Sequence, residues 1–210
     1  MTNYDIIREK SRRRFLEYNQ EAMIRRLHLV SDSDYLYLDF CGKPYCIHRT
    51  TGVVEGIDGG ESVLADFNES MSIFDFLCGE KERATLSGTW VSVGKLANYV
   101  PSNLSSRKNN NFFAEYEQLF HCNTQRLASL FAALGYQRFH PGDVSCIFPV
   151  FPDFSAVFQF WRGDDDFPPG IHFLWDANTL NFIHYETIFY IQLHWLEKMT
   201  KMLKQKEGIS

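Results

Sequence analysis

Two gaps between β-like runs are too short for anything but a reversal of the chain. Tyr35 to Phe40, Tyr45 to Arg49 and Gly52 to Gly56 are rich in Tyr, Val and Ile, with only Cys41 and Gly42-Lys43-Pro44 and then Thr50-Thr51 between them. A parallel neighbour needs a crossover of about a dozen residues or more. These three runs are therefore expected to form adjacent antiparallel strands. A second β-rich group lies at 144–150, 156–161 and 171–175, broken by Phe151-Pro152-Asp153 and by the stretch from Arg162 to Gly170.

Helical spacing brackets these groups. Residues 4 to 28 put Ile6, Ile7, Phe15, Leu16, Ala22, Met23 and Leu27 among charges, the pattern of an amphipathic helix, continuous or with one break. Asn68 or Ser70 is the expected cap of a helix carrying Met71, Phe74 and Leu77, stopped at Cys78-Gly79. From Phe112 the period returns as two helices hinged near Asn123-Thr124, and Tyr185 to about Lys204 places Ile188, Ile191, Trp195, Met199 and Met202 on one stripe. The expected class is α+β: an antiparallel or mixed sheet of five to seven strands with helices packed on it, and long helices at both ends.

At 210 residues with 45% hydrophobic and 16% aromatic content, burial can offset the entropy of folding, and one domain over 1–210 is the expectation. Residues 102–111, polar and without apolar period, are expected to be a mobile loop, and 206–210 a frayed tail. A net charge of -5 argues against nucleic acid and anionic membrane as partners. There is no apolar leader and no uncharged apolar run of membrane-spanning length, which gives a cytoplasmic expectation. Five cysteines without C-x-x-C spacing read as reduced thiols, neither a disulfide framework nor a four-thiolate metal site.

The densest chemistry is Asp164-Asp165-Asp166-Phe167-Pro168, between two expected strands and preceded by Trp161, with Asp176 closing the next strand and Glu186 opening the last helix. Gathered at one sheet end, such carboxylates can hold a cation, receive a cationic ligand or trade protons. Scattered singly, they bond turn backbone or favour a helix start. Trp90, Trp161, Trp175 and Trp195, with the many phenylalanines, are candidates for the wall of an apolar pocket, or for core. Seven histidines show no H-E-x-x-H and no i, i+4 pair, so no metal site is expected, and no G-x-S-x-G or phosphate loop is present.

Gly88-Thr-Trp-Val-Ser-Val, Gly142-Asp143, Phe148-Pro-Val-Phe-Pro, Trp161-Arg-Gly-Asp-Asp-Asp-Phe-Pro, Leu174-Trp-Asp and Glu186 together resemble a prokaryotic domain-of-unknown-function family, number 3786, frequent in strict anaerobes. The family pattern is similar to Trp-x-Gly-Asp-Glu-Glu-Phe-Pro followed by Leu-Phe-Asp; here Asp165 and Asp166 stand where Glu is usual, and Trp175 where Phe is. The resemblance implies no activity and names no cofactor. Some relatives look like fusions to a cysteine-rich iron-sulfur module, for which this sequence has no cysteine set.

The expected function is an accessory module that binds a small molecule or a partner protein through Trp90, Trp161, Asp164, Asp165, Asp166, Phe167, Asp176 and Glu186. The alternative is an enzyme with Asp165 or Asp166 as general acid or base, and a third reading is docking through the basic first helix. A carboxylate set in a pocket favours the enzyme; a solvated corner favours interaction.

Overall fold

A computed structural model describes residues 2–79, 85–96 and 112–205. The expected loop at 102–111 and tail at 206–210 lie outside the described residues. Contacts within the chain divide it into two compact units, the first made of Met1–Leu86, Pro149–Phe154 and Asn178–His194 and the second of Ser87–Phe148, Ser155–Ala177 and Trp195–Ser210.

In the first unit, Thr2 and Asp5 close a capping box that starts α1 (Asn3–Glu17), and the chain becomes extended at Tyr18. Asn19 then accepts from the Ala22 N–H to start α2 (Gln20–Leu27), which ends at His28 in the left-handed region. Five antiparallel strands follow in spatial as well as chain order: β1 (Val30–Ser31), β2 (Tyr35–Phe40), β3 (Lys43–His48), β4 (Val54–Asp58) and β5 (Glu61–Leu64). Phe40 faces Lys43 and Asp58 faces Glu61 in register. Each hairpin therefore turns on two residues, Cys41-Gly42 and Gly59-Gly60, all with positive φ, as right-handed strand twist demands.

Helix α3 (Phe67–Leu77) is capped by Asp66, not by Asn68 or Ser70, which lie inside it. The reason is reciprocal bonding: Asp66 takes the Glu69 N–H at 2.8 Å while Glu69 takes the Asp66 N–H at 2.7 Å. The core of this unit is aromatic, with Phe76 stacked on Phe151 at 4.0 Å and Phe40 on Phe151 at 5.0 Å.

In the second unit β6 (Trp90–Ser92) runs into the short α4 (Val93–Leu96), and α5 (Ala114–Cys122) and α6 (Thr124–Ala133) meet at Asn123, where the sequence placed a hinge. Then come β7 (Gln137–Arg138), β8 (Val144–Phe151), β9 (Phe154–Trp161) and β10 (Gly170–Asp176), in the sheet order β6-β10-β9-β8-β7. A 3-10 turn at Thr179–Asn181, in the first unit, leads to α7 (Tyr185–Gln205), which belongs to the first unit as far as His194 and to the second from Trp195. Fully buried Trp195 packs against Phe158 at 4.6 Å, Phe148 at 4.7 Å and Phe131 at 5.6 Å. Burying such rings contributes about 1.5–3 kcal/mol each.

The class is thus α+β, with the strands in two five-stranded antiparallel sheets where the sequence suggested one sheet of five to seven. The first strand group has its own hairpins and the second its own, so neither needs the other to pair. Among the described residues no helix is long and apolar enough to cross a membrane.

Candidate functional site

The acidic stretch between β9 and β10 is a tight, solvated turn. Asp164 Oδ1 accepts the N–H groups of Asp166 at 3.0 Å and Phe167 at 2.8 Å, and the Asp164 N–H donates to the Phe167 carbonyl at 2.9 Å. Gly163 is required beneath it, since a Cβ there would lie 2.6 Å from the Pro169 ring and 2.9 Å from the Phe167 carbonyl oxygen. Asp165 and Asp166 are exposed, and the Phe167 ring is 71% exposed. Trp161, half-buried at the end of β9, meets the edge of His172 at 4.9 Å.

Asp176 is a different object. It is 3% exposed and its two oxygens take the Ser87 N–H at 2.9 Å, the Gly88 N–H at 2.7 Å and the Ser87 hydroxyl at 3.1 Å. Trp90 is its register partner across β6 and β10, so the structure does bring these two predicted residues together. The carboxylate there holds the entry to β6 in place. Trp175 is fully buried core.

Glu186 belongs to the first unit, on the exposed first turn of α7, whereas Asp164, Asp165, Asp166 and Asp176 belong to the second. Glu186 lines a cleft of about 220 Å³ with Ser11, Arg14, Asp75, His184 and Tyr190. Asp75, on α3, captures the start of α7: it accepts the His184 N–H at 2.7 Å and the Thr187 hydroxyl at 2.6 Å, and its other oxygen bonds His184 Nδ1. A carboxylate at Nδ1 fixes the tautomer and leaves Nε2 as the outward group. Cys78 shares this cleft, but burial pushes its thiol up to about 11, so it stays protonated and unreactive near neutral pH. Burial likewise raises the thiols of Cys46 and Cys146.

A third polar group is largely buried in the first unit. Asp66 and Glu69 at the start of α3 and His194 on α7 each present a ligand atom, all within 4.8 Å of one another. Glu69 is 8% and His194 7% exposed, and the Tyr45 hydroxyl donates to Glu69 Oε1. Burial, then the Glu69 hydrogen bond and charge, push the Tyr45 hydroxyl well above its ordinary range. Sequence reasoning passed over this group and the Asp75–His184 pair. The Asp-x-x-Glu spacing at 66–69 was a readable capping signal, whereas Asp75 and His184 stand 109 positions apart.

The family described as Domain of unknown function (DUF3786) matches residues 19–194. The chain belongs to that family. No curated protein and no solved structure matches it. The DUF3786 span contains the acidic turn, Asp176, the Asp75–His184 pair and the Asp66, Glu69 and His194 group, while Ser11 and Arg14 of the cleft precede it.

Proposed function

We propose that this DUF3786 domain is a non-catalytic binding module that docks a partner protein at the Asp164–Pro168 turn. The observation that carries the reading is Phe167: a large apolar ring 71% exposed on a turn locked by Asp164 and flanked by two exposed carboxylates. Aromatic anchors supply most of the energy of protein interfaces, and rim charges steer the encounter. The partner chemistry that suits this turn is a Lys- or Arg-bearing segment with an apolar side chain for Phe167. Small molecules prefer concave sites that bury most of the ligand, which favours a protein over a metabolite at this turn. Asp165 and Asp166 are open to water, which lends less support to a general acid or base there.

The test is fluorescence anisotropy with labelled peptides that alternate Lys or Arg with aliphatic residues, against peptides carrying Glu in place of the basic residues. Binding of the basic set alone, weakened by salt and lost in Phe167→Ala, is the expected result. Equal binding of both sets, or full affinity in Phe167→Ala, contradicts it.

An enzymatic reading is favoured by one observation, the anchoring of His184 Nδ1 by Asp75 in a cleft, which presents Nε2 as a proton acceptor. A thermal-shift screen of metabolites tests it. Hits whose stabilisation disappears in His184→Gln support an acid–base role, and a screen without such hits counts against one.

Five free cysteines support a reducing, cytoplasmic setting. Continuity of β8, β9 and α7 through both units supports a single cooperative domain.

A further inference from the structure

We propose that Asp66, Glu69 and His194 form a binding site for a divalent first-row transition cation of the Zn²⁺ or Mn²⁺ type.

Charge accounting is the starting point. Glu69 is 8% exposed, and a buried carboxylate needs hydrogen bonds and a compensating positive charge. Its hydrogen-bond donors are neutral: the Tyr45 hydroxyl and the Asp66 N–H. A second carboxylate, Asp66, stands beside it, and the nearest cationisable group is His194, whose Nδ1 lies 3.8 Å from Glu69 Oε1. Among the described residues no Lys or Arg nitrogen lies within ion-pair distance of Asp66 or Glu69. One buried carboxylate, one exposed carboxylate and one buried imidazole therefore stand together, and a divalent cation matches the carboxylates' combined charge of -2.

The donor geometry suits such an ion. Bond lengths of about 2.0–2.2 Å place the ligand atoms of a transition ion some 3–4 Å apart. The three ligand atoms here lie within 4.8 Å of one another, close to that spacing, and Asp66 is the exposed member of the set. Both carboxylates keep lone pairs for an ion. Asp66 Oδ1 accepts the Glu69 N–H and leaves Oδ2 open among the described residues, while each Glu69 oxygen takes one donor and keeps a second lone pair.

The surroundings resemble an outer shell. Tyr45, 1% exposed, orients the Glu69 carboxylate through its hydroxyl, and Phe40 stacks on the His194 ring at 4.9 Å and 28°. An imidazole with two carboxylates selects Zn²⁺, Mn²⁺ or Fe²⁺ over the all-oxygen preferences of Ca²⁺ and Mg²⁺. The positive end of α3 opposes a cation only modestly against the full charges of two carboxylates. Sequence spacing gave no sign of the site, because Asp66 and Glu69 read as a capping pair and His194 comes from a distant helix.

Isothermal titration of the chelator-treated full chain with ZnCl₂ and with MnCl₂ tests the proposal. The expected result is one saturable site per chain, weakened at least tenfold in Asp66→Asn and unchanged in Cys122→Ser, which removes an exposed thiol that could hold Zn²⁺ adventitiously. Asp66→Asn keeps a good helix cap and so remains folded. Absence of 1:1 binding by both metals, or binding that survives Asp66→Asn unchanged, overturns the proposal. So does a Zn²⁺ site that vanishes with Cys122.

Discussion

The Asp164–Asp166 turn and the Asp66–Glu69 start of α3 are both acidic segments whose Asp side chains bond nearby backbone, yet water covers the first and side chains cover much of the second. In each, one Asp bonds backbone N–H groups two or three residues ahead. They differ in what comes from elsewhere. Tyr45 and His194 close over Glu69, while Asp165 and Asp166 are left exposed. Local acid content thus shapes the turn, and distant residues decide whether a carboxylate becomes part of the interior or part of the surface.

Substitutions that treat buried and solvated acids alike put this contrast under strain. The largest effect is expected at Asp176. Asp176→Ala strands two N–H groups and a hydroxyl at the entry to β6, and a loss of about 2–4 kcal/mol in urea unfolding is expected. A loss below about 0.5 kcal/mol, the range of ordinary surface changes, would erase the distinction.

Alkaline pH sharpens it from the side of the thiols. Folding raises Cys78 from 9.0 to about 11, so its contribution is complete below pH 9 and is lost as pH rises through 11, because the unfolded chain ionises first. Stability should fall by about 1.4 kcal/mol per pH unit for each such thiol in that window. Exposed Cys122 should meanwhile react with Ellman's reagent in the native state, ahead of the four buried cysteines.

Tyr45→Phe comes next in size. It removes the hydroxyl that donates to Glu69 and should cost about 1–3 kcal/mol, measured by the same unfolding experiment. A neutral result would mean that Glu69 is satisfied without Tyr45.

How much of this was legible depends on distance along the chain. The hairpins of β2, β3 and β4, the helical character of residues 4–28, the Asn123 joint and the α7 stripe were readable because turns and helical period act over a few residues, whereas the sequence left open whether 4–28 is continuous or broken. β1, of two residues, and β5, whose four side chains are all exposed, carry no hydrophobic pattern to read. The division into two sheets was hidden because each strand run reveals only its nearest partner. Of the predicted site residues, Trp90 and Asp176 do meet, and Asp164 builds the turn. Asp176 could be read only as one of several acids that gather or stand singly, because Ser87 and Gly88, its partners, lie nearly ninety positions away. The Asp75–His184 pair and the Glu69–His194 contact escaped for the same reason.

The central claim is that the solvated acids serve a partner and not the fold. It is tested most directly by pairing urea unfolding with peptide affinity in the double variant Asp165→Asn, Asp166→Asn. Removing two neighbouring like charges should leave the unfolding midpoint unchanged or slightly higher, within about 0.5 kcal/mol. Affinity for the basic peptides should fall at least tenfold. A double variant that unfolds at markedly lower urea and still binds those peptides as the unaltered chain does would contradict the account and return the turn to a purely structural role.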